Sequence, residues 1–150
     1  MPIGDFEREI LRLLARNRNP DSFVAGATIL LLEPGSVRES QDVDIFHDTA
    51  ESLRESSEAD IVILRGNGYE VDMVTSQPTF RRGLIRRAEQ ASKIEWVFDS
   101  AFRFFPVERD AELGFRLNFW DAAANKLLAL AGRHELRDYL DVLYLHAHHL

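Results

Sequence analysis

The stretch Phe23-Val24-Ala25-Gly26-Ala27-Thr28, followed by Arg38-Glu39-Ser40-Gln41-Asp42-Val43-Asp44-Ile45-Phe46, decides how this chain is read. Val43-Asp44-Ile45-Phe46 has the β-branched and aromatic content of a strand. Residues two apart on a strand share a face, so Asp42 and Asp44 project together while Val43 and Ile45 turn the other way, into a core. Two carboxylates side by side repel each other and are costly unless a cation bridges them. Mg²⁺ suits such a pair, being a hard ion that takes oxygen ligands and keeps positions for substrate phosphates. An Asp-x-Asp alone also occurs on ordinary surface strands, so its context has to carry the rest.

Upstream, Phe6, Ile10, Leu13 and Leu14 recur at helical spacing behind Asp5, which is expected to cap that helix. Asn19-Pro20-Asp21 breaks it. Ser22–Ala25 then reads as a short strand, and Gly26 turns the chain into Thr28–Leu32, an apolar segment expected to be a buried helix. Downstream, Thr49 is placed to cap a helix running through Leu53 to Leu64, ended by Gly66-Asn67-Gly68. Tyr69–Val74 and Ile94–Asp99 read as strands. Residues Thr79–Ala88 fit a strand or a helix, with Arg81, Arg82, Arg86 and Arg87 forming a solvated face. Leu113–Phe119 reads as a strand or an extended entry to a helix. Asp121 is expected to cap Ala122–Ala131, Gly132 to stop it, and Leu136, Tyr139, Leu140 and Leu143 to mark a last amphipathic helix. Trp96 and Trp120 are read as core. The pattern is α+β, a mixed central sheet flanked by helices with a helical C-terminal segment, in one domain over residues 1–150 (core about 22–119, closing helices about 120–148).

At 150 residues, with 45% hydrophobic residues and ten Phe, the composition is globular. No apolar run reaches the ~20 residues of a membrane span, and Met1–Asp5 lacks a signal-peptide pattern, so a cytoplasmic protein away from membranes is expected. Cysteine is absent from the sequence, which excludes disulfides and thiolate metal sites. A formal charge of -7 argues against a broad basic surface for duplex DNA. Sixteen of the eighteen cations are Arg, so Lys93 and Lys126 stand out. His146-x-His148-His149 has ligand chemistry but lies at a chain end, and no metal role is expected there.

The segment Phe23–Ala27 with Arg38-x-Ser40-x-Asp42-x-Asp44 resembles the nucleotide-binding signature of the DNA polymerase beta-like nucleotidyltransferases. The C-terminal half is similar to the AbiEii-type members. Ile94-Glu95-Trp96-x-x-Asp99 matches their later strand, and Asn125-Lys126-Leu127 with Arg137-Asp138-x-x-Asp141 matches their two closing helices. The match runs over most of Phe23–Leu145.

That resemblance implies a Mg²⁺-dependent transfer of a nucleoside monophosphate from an NTP to a tRNA, another RNA or a protein. Gly26, Ala27, Thr28 and Ser40 are then the nucleotide-binding positions, where a small residue at a helix start lets phosphate approach backbone N–H groups. Ala27 departs from the usual Gly or Ser, with Thr28 a substitute donor. Asp42 and Asp44 hold the metal. A later strand supplies a third metal-binding carboxylate: Glu95 is the first choice, Asp99 and Asp72 its rivals. Lys126 meets the triphosphate as a point charge, and Asp138 orients Lys126 or the acceptor, with Asp141 one turn later. The family also implies a toxin with an antitoxin partner. Two other readings use the same residues: a non-catalytic member that binds nucleotide or a partner, and metal-dependent phosphate hydrolysis.

Overall fold

The computed structural model describes residues 4–30, 42–99, 103–133, 141, 143 and 145–147. The order is α1 (Asp5–Leu14), β1 (Ser22–Ala25), α2 (Ala27–Leu30), β2 (Asp42–His47), α3 (Ala50–Gly66), β3 (Glu70–Gln77), β4 (Phe80–Arg87), β5 (Gln90–Phe98), β6 (Glu108–Asp110), β7 (Gly114–Arg116) and α4 (Phe119–Arg133). Asp141, Leu143 and residues 145–147 are also helical. The strands form one mixed sheet in the order β3-β4-β5-β2-β1-β7-β6. β2 runs parallel to β5 and β1 parallel to β7; the other pairs are antiparallel.

Alternation along the strands sends one set of side chains under α1 and α3. Val43 and Ile45 of β2, Ile94 and Trp96 of β5 and Ile85 of β4 are fully buried there with Ile10, Leu14, Leu53 and Leu64. This layer also encloses charge. The Asp60 carboxylate takes Asn17 Nδ2 at 2.6 Å, Arg18 Nη2 at 2.5 and 2.6 Å, and Trp96 Nε1 at 2.9 Å. A buried ion is tolerable when its lone pairs are satisfied in this way. From Arg18 a relay continues through Ser56 and Ser22 to His47 Nε2, and His47 Nδ1 donates to the Val97 carbonyl. The set pins α3 and the entry to β1 beneath β2 and β5, the strands that carry the candidate site.

Several boundaries differ from expectation. α1 begins at Asp5 itself, with Gly4 at the cap position and no side-chain cap. Thr49 does cap α3, accepting from the Ser52 N–H at 3.0 Å. Thr79–Ala88 resolves as a strand, because Gly83, Ile85 and their alternating neighbours match the sheet period and a two-residue Ala88-Glu89 turn folds β4 onto β5. β6 was not expected; three residues leave too little pattern to read. Asn118, not Asp121, accepts from the first turn of α4, bonding the Trp120 N–H. Asp121 instead receives the backbone N–H groups of Phe104 and Phe105 at 2.8 and 3.0 Å. Trp96 is core, but Trp120 is 46% exposed, because α4 buries Ala122, Ala123 and Lys126 and turns Trp120, Leu127 and Leu128 outward. No helix among the described residues is long and apolar enough to cross a membrane.

Candidate active site

The face of the sheet opposite α1 and α3 carries the acidic residues. On β2, Val43, Ile45 and His47 are buried and Asp42, Asp44 and Phe46 alternate with them on the other side. The parallel register sets Asp42 beside Lys93 and Asp44 beside Glu95, so Glu95 lies on the same face as the Asp pair, one strand away. Strand spacing of about 4.8 Å brings the three carboxylates into one neighbourhood.

Gly26 closes this site from below. It has φ +69°, in the left-handed region, and links β1 to α2. A Cβ built on it would lie 2.8 Å from Asp44 Cγ and overlap the Oδ2 atom. Only glycine allows both the backbone angle and this approach. Thr28 is buried, and its hydroxyl donates to the Asp42 carbonyl at 3.3 Å, tying α2 to β2. That bond engages the oxygen expected to substitute as a phosphate donor. α2 packs against α4.

Glu95 is engaged by Arg82 of β4, the strand on the other side of β5 from β2. Its Oε2 accepts from Arg82 Nε at 2.9 Å and Nη2 at 2.5 Å, and the guanidinium lies 5.2 Å from the Phe80 ring centroid. Among the described residues no three His, Asp or Glu side chains are arranged to hold a metal ion. The donor set nevertheless suits magnesium: hard oxygen ligands on a glycine-opened floor, with a third carboxylate one strand away.

The rivals of Glu95 lie elsewhere. Asp72 shares a cross-strand row with Leu84, Lys93 and Asp42, but three strands from Asp42, about 14 Å off by strand spacing. It is ion-paired with Arg86. Asp99 lies four residues beyond Glu95, about 13 Å along the strand direction. There it lines a shallow pocket with Phe23, Phe46, Asp48, Arg103, Asp121 and Asn125. Arg103 holds Asp48 at 2.8 and 3.2 Å in that pocket.

Lys126 is buried on α4, with Asn125 and Asp121 of the same helix lining the pocket beside Phe46. Its ammonium pairs with Asp141 at 3.1 Å, the two side chains being 9% and 2% exposed. So Asp141 orients Lys126. Asp138, the expected partner, and Ser40 lie outside the described residues. Leu127, next to Lys126 on the helix, is 44% exposed. The four arginines of β4 do not form one patch. Alternation separates Arg82 and Arg86 from Arg81 and Arg87; Arg81 bonds Ser57, while Arg82, Arg86 and Arg87 each pair with a carboxylate.

Sequence reading missed Arg82 as the partner of Glu95. The signal was present: once β4 is read as a strand, each β4–β5 pair is equidistant from the Ala88-Glu89 turn, which sets Arg82 opposite Glu95. Asp141, named only as lying one turn beyond Asp138, is the carboxylate that meets Lys126 among the described residues.

No protein-family profile matches the chain, and no curated protein matches it. Solved structures match it in shape. A protein from H. pylori, described as a candidate nucleotidyltransferase, superposes with a TM-score of 0.69 at 22% identity, over 96% of this chain and 68% of its own. JHP933 from Helicobacter pylori gives 0.68 at 21%, over 96% and 65%. MenT4, a nucleotidyltransferase toxin from Mycobacterium tuberculosis H37Rv, gives 0.52 at 19%, over 75% and 41%. The chain thus spans about two thirds of the length of the two Helicobacter proteins and under half of MenT4. At these identities the likeness is one of architecture: the chain has the mixed α+β nucleotidyltransferase fold.

Proposed function

We propose that this chain is a magnesium-dependent nucleotidyltransferase of the AbiEii type, moving a nucleoside monophosphate from an NTP to an RNA or protein acceptor. One observation carries the reading. Asp42 and Asp44 stand together on one face of β2, with Asp44 seated against Gly26 at the turn into α2, on a fold shared with nucleotidyltransferases.

Asp42 and Asp44 would hold the metal, with Glu95 as the third carboxylate. A bound Mg²⁺ supplies a bridge between substrate phosphates and offsets charge developing in an in-line displacement. Asp44 is held in place by its fit against Gly26. Lys126 brings a fixed positive charge to the triphosphate, and Asp141 sets the direction of its ammonium. Gly26, Ala27, Thr28 and Ser40 form the nucleotide-binding turn, in which Thr28 secures the geometry. Asp138 would orient Lys126 or the acceptor. A toxin acting with an antitoxin in the cytoplasm is the biological setting that the AbiEii resemblance implies; MenT4, described as a nucleotidyltransferase toxin, shares the fold.

The test is incubation with each NTP labelled at the α-phosphate, Mg²⁺, and total RNA or cell protein. Label should enter one macromolecular class, and Asp44→Asn should abolish transfer while leaving thermal stability within about 1 kcal/mol of wild type, since no core contact is lost. Full activity of Asp44→Asn would remove the metal role.

A second reading, a non-catalytic nucleotide- or partner-binding member, is favoured by the pairing of Glu95 with Arg82. Saturable NTP binding without label transfer under any of these conditions would select it.

A further inference from the structure

The Arg82–Glu95 pair is an unusual feature for a cation-binding site. Three carboxylates share one sheet face, yet the nearest candidate third ligand is held by two hydrogen bonds from one guanidinium. Both go to the same oxygen, Oε2, and the Arg82 side chain remains 39% exposed. Its position is fixed from two sides, by Phe80 under the guanidinium and by Glu95 across the hairpin. Arg82 Nη1 makes no hydrogen bond among the described residues.

A cation between Asp42, Asp44 and Glu95 and a guanidinium on Glu95 compete for the same carboxylate. In the absence of a cation, Arg82 offsets part of the repulsion among the three acids. Once a divalent ion takes over that task, Arg82 is a displaced, preorganised fork beside a site meant for phosphates, and planar guanidinium matches phosphate oxygens well.

We propose that Arg82 is an exchangeable counter-ion: it holds Glu95 away from Asp42 and Asp44 until cation and nucleotide bind, and then passes from Glu95 to a substrate phosphate. This rests on the nucleotidyltransfer reading of the same site. Arg82 is therefore a positioning residue for Glu95 before binding and a phosphate ligand after it.

The two roles give opposite signs. Binding of Mn²⁺ alone, followed by electron paramagnetic resonance, should tighten roughly fivefold in Arg82→Ala and Arg82→Gln, the worth of a part-exposed ion pair. In a Glu95→Gln background, Arg82→Ala should give no such gain, because there is no carboxylate left to release. Affinity for a non-hydrolysable NTP analogue at saturating Mg²⁺ should fall about tenfold in Arg82→Ala and recover partly in Arg82→Lys, which keeps the charge but loses the fork. Unchanged or weaker Mn²⁺ binding in the single variants, or an equal gain in the Glu95→Gln background, overturns the exchange. Unchanged analogue affinity overturns the transfer to phosphate. If wild type and Asp44→Asn bind Mn²⁺ equally, the metal-site reading itself fails and takes this inference with it. Arg82→Gln keeps a polar, similarly sized side chain, so agreement of the two substitutions excludes misfolding as the cause.

Discussion

Gly26 and His47 show how single positions constrain this site from opposite faces of β2. Gly26→Ala places a methyl group on Asp44 and forces alanine to hold φ +69°. It should cost about 1–3 kcal/mol in urea unfolding and weaken divalent-cation binding, because the carboxylate has to leave its seat. Unaltered cation affinity would show that the Asp44 position is not critical. His47 is held neutral. Burial is the main reason, and it lowers the imidazole from 6.5 to about 4. The hydroxyl relay agrees, since Ser22 can donate to Nε2 only while that nitrogen is unprotonated. The unfolded chain therefore binds the proton first, and stability falls as pH drops from about 6.5 towards 4. Above pH 7 the contribution is complete. By pH 5 the loss should approach roughly 2 kcal/mol. Urea titrations between pH 7 and 5 should show this slope in wild type and a flatter one in His47→Asn. At this scale the sequence was informative about Asp42, Asp44 and Gly26, whose chemistry is local. The engagement of Glu95 with Arg82 was legible only through the register of the β4–β5 hairpin, once β4 is read as a strand.

Elements behave in the same way: those with a period of their own were legible, and those defined by their packing were not. Thr49 and α3 followed from a cap and an apolar repeat, and β2 from its alternation. Residues Thr79–Ala88 fitted two periods, and the choice was made by the neighbouring strands. α4 was found, but Trp120, read as core, turns outward because the Ala/Leu composition gives no sharp stripe, and the burial of Lys126 shows only with its partner. That partner makes a prediction at this scale. Lys126 and Asp141 are a buried ion pair joining α4 to the last described helical residues. Lys126→Met alone should cost about 3 kcal/mol, because it removes the ammonium that faces a buried carboxylate. Lys126→Met with Asp141→Leu should recover most of that loss while NTP affinity stays low. Recovery of affinity together with stability would make the pair purely structural.

For the whole molecule, the α+β class and mixed sheet were legible from strands and helices in sequence order, whereas the strand order was not. β1 lies between β2 and β7, so the centre of the sheet joins residues from both ends of the described chain, Val24 with Arg116 among them. By contrast β3, β4 and β5 are consecutive hairpin neighbours. Loop-closure entropy favours the local meander and penalises the distant pairing. Assembly of the acidic cluster thus has a temporal order. Arg82 and Glu95 meet within one hairpin, and Asp42 and Asp44 arrive beside a carboxylate whose charge is already compensated. In stopped-flow refolding, Ile85→Val in the meander should slow folding, while Val24→Ala in the central pairing should mainly speed unfolding. The reverse assignment would mean that the sheet nucleates at its centre, and that the three acids come together before their counter-ion does.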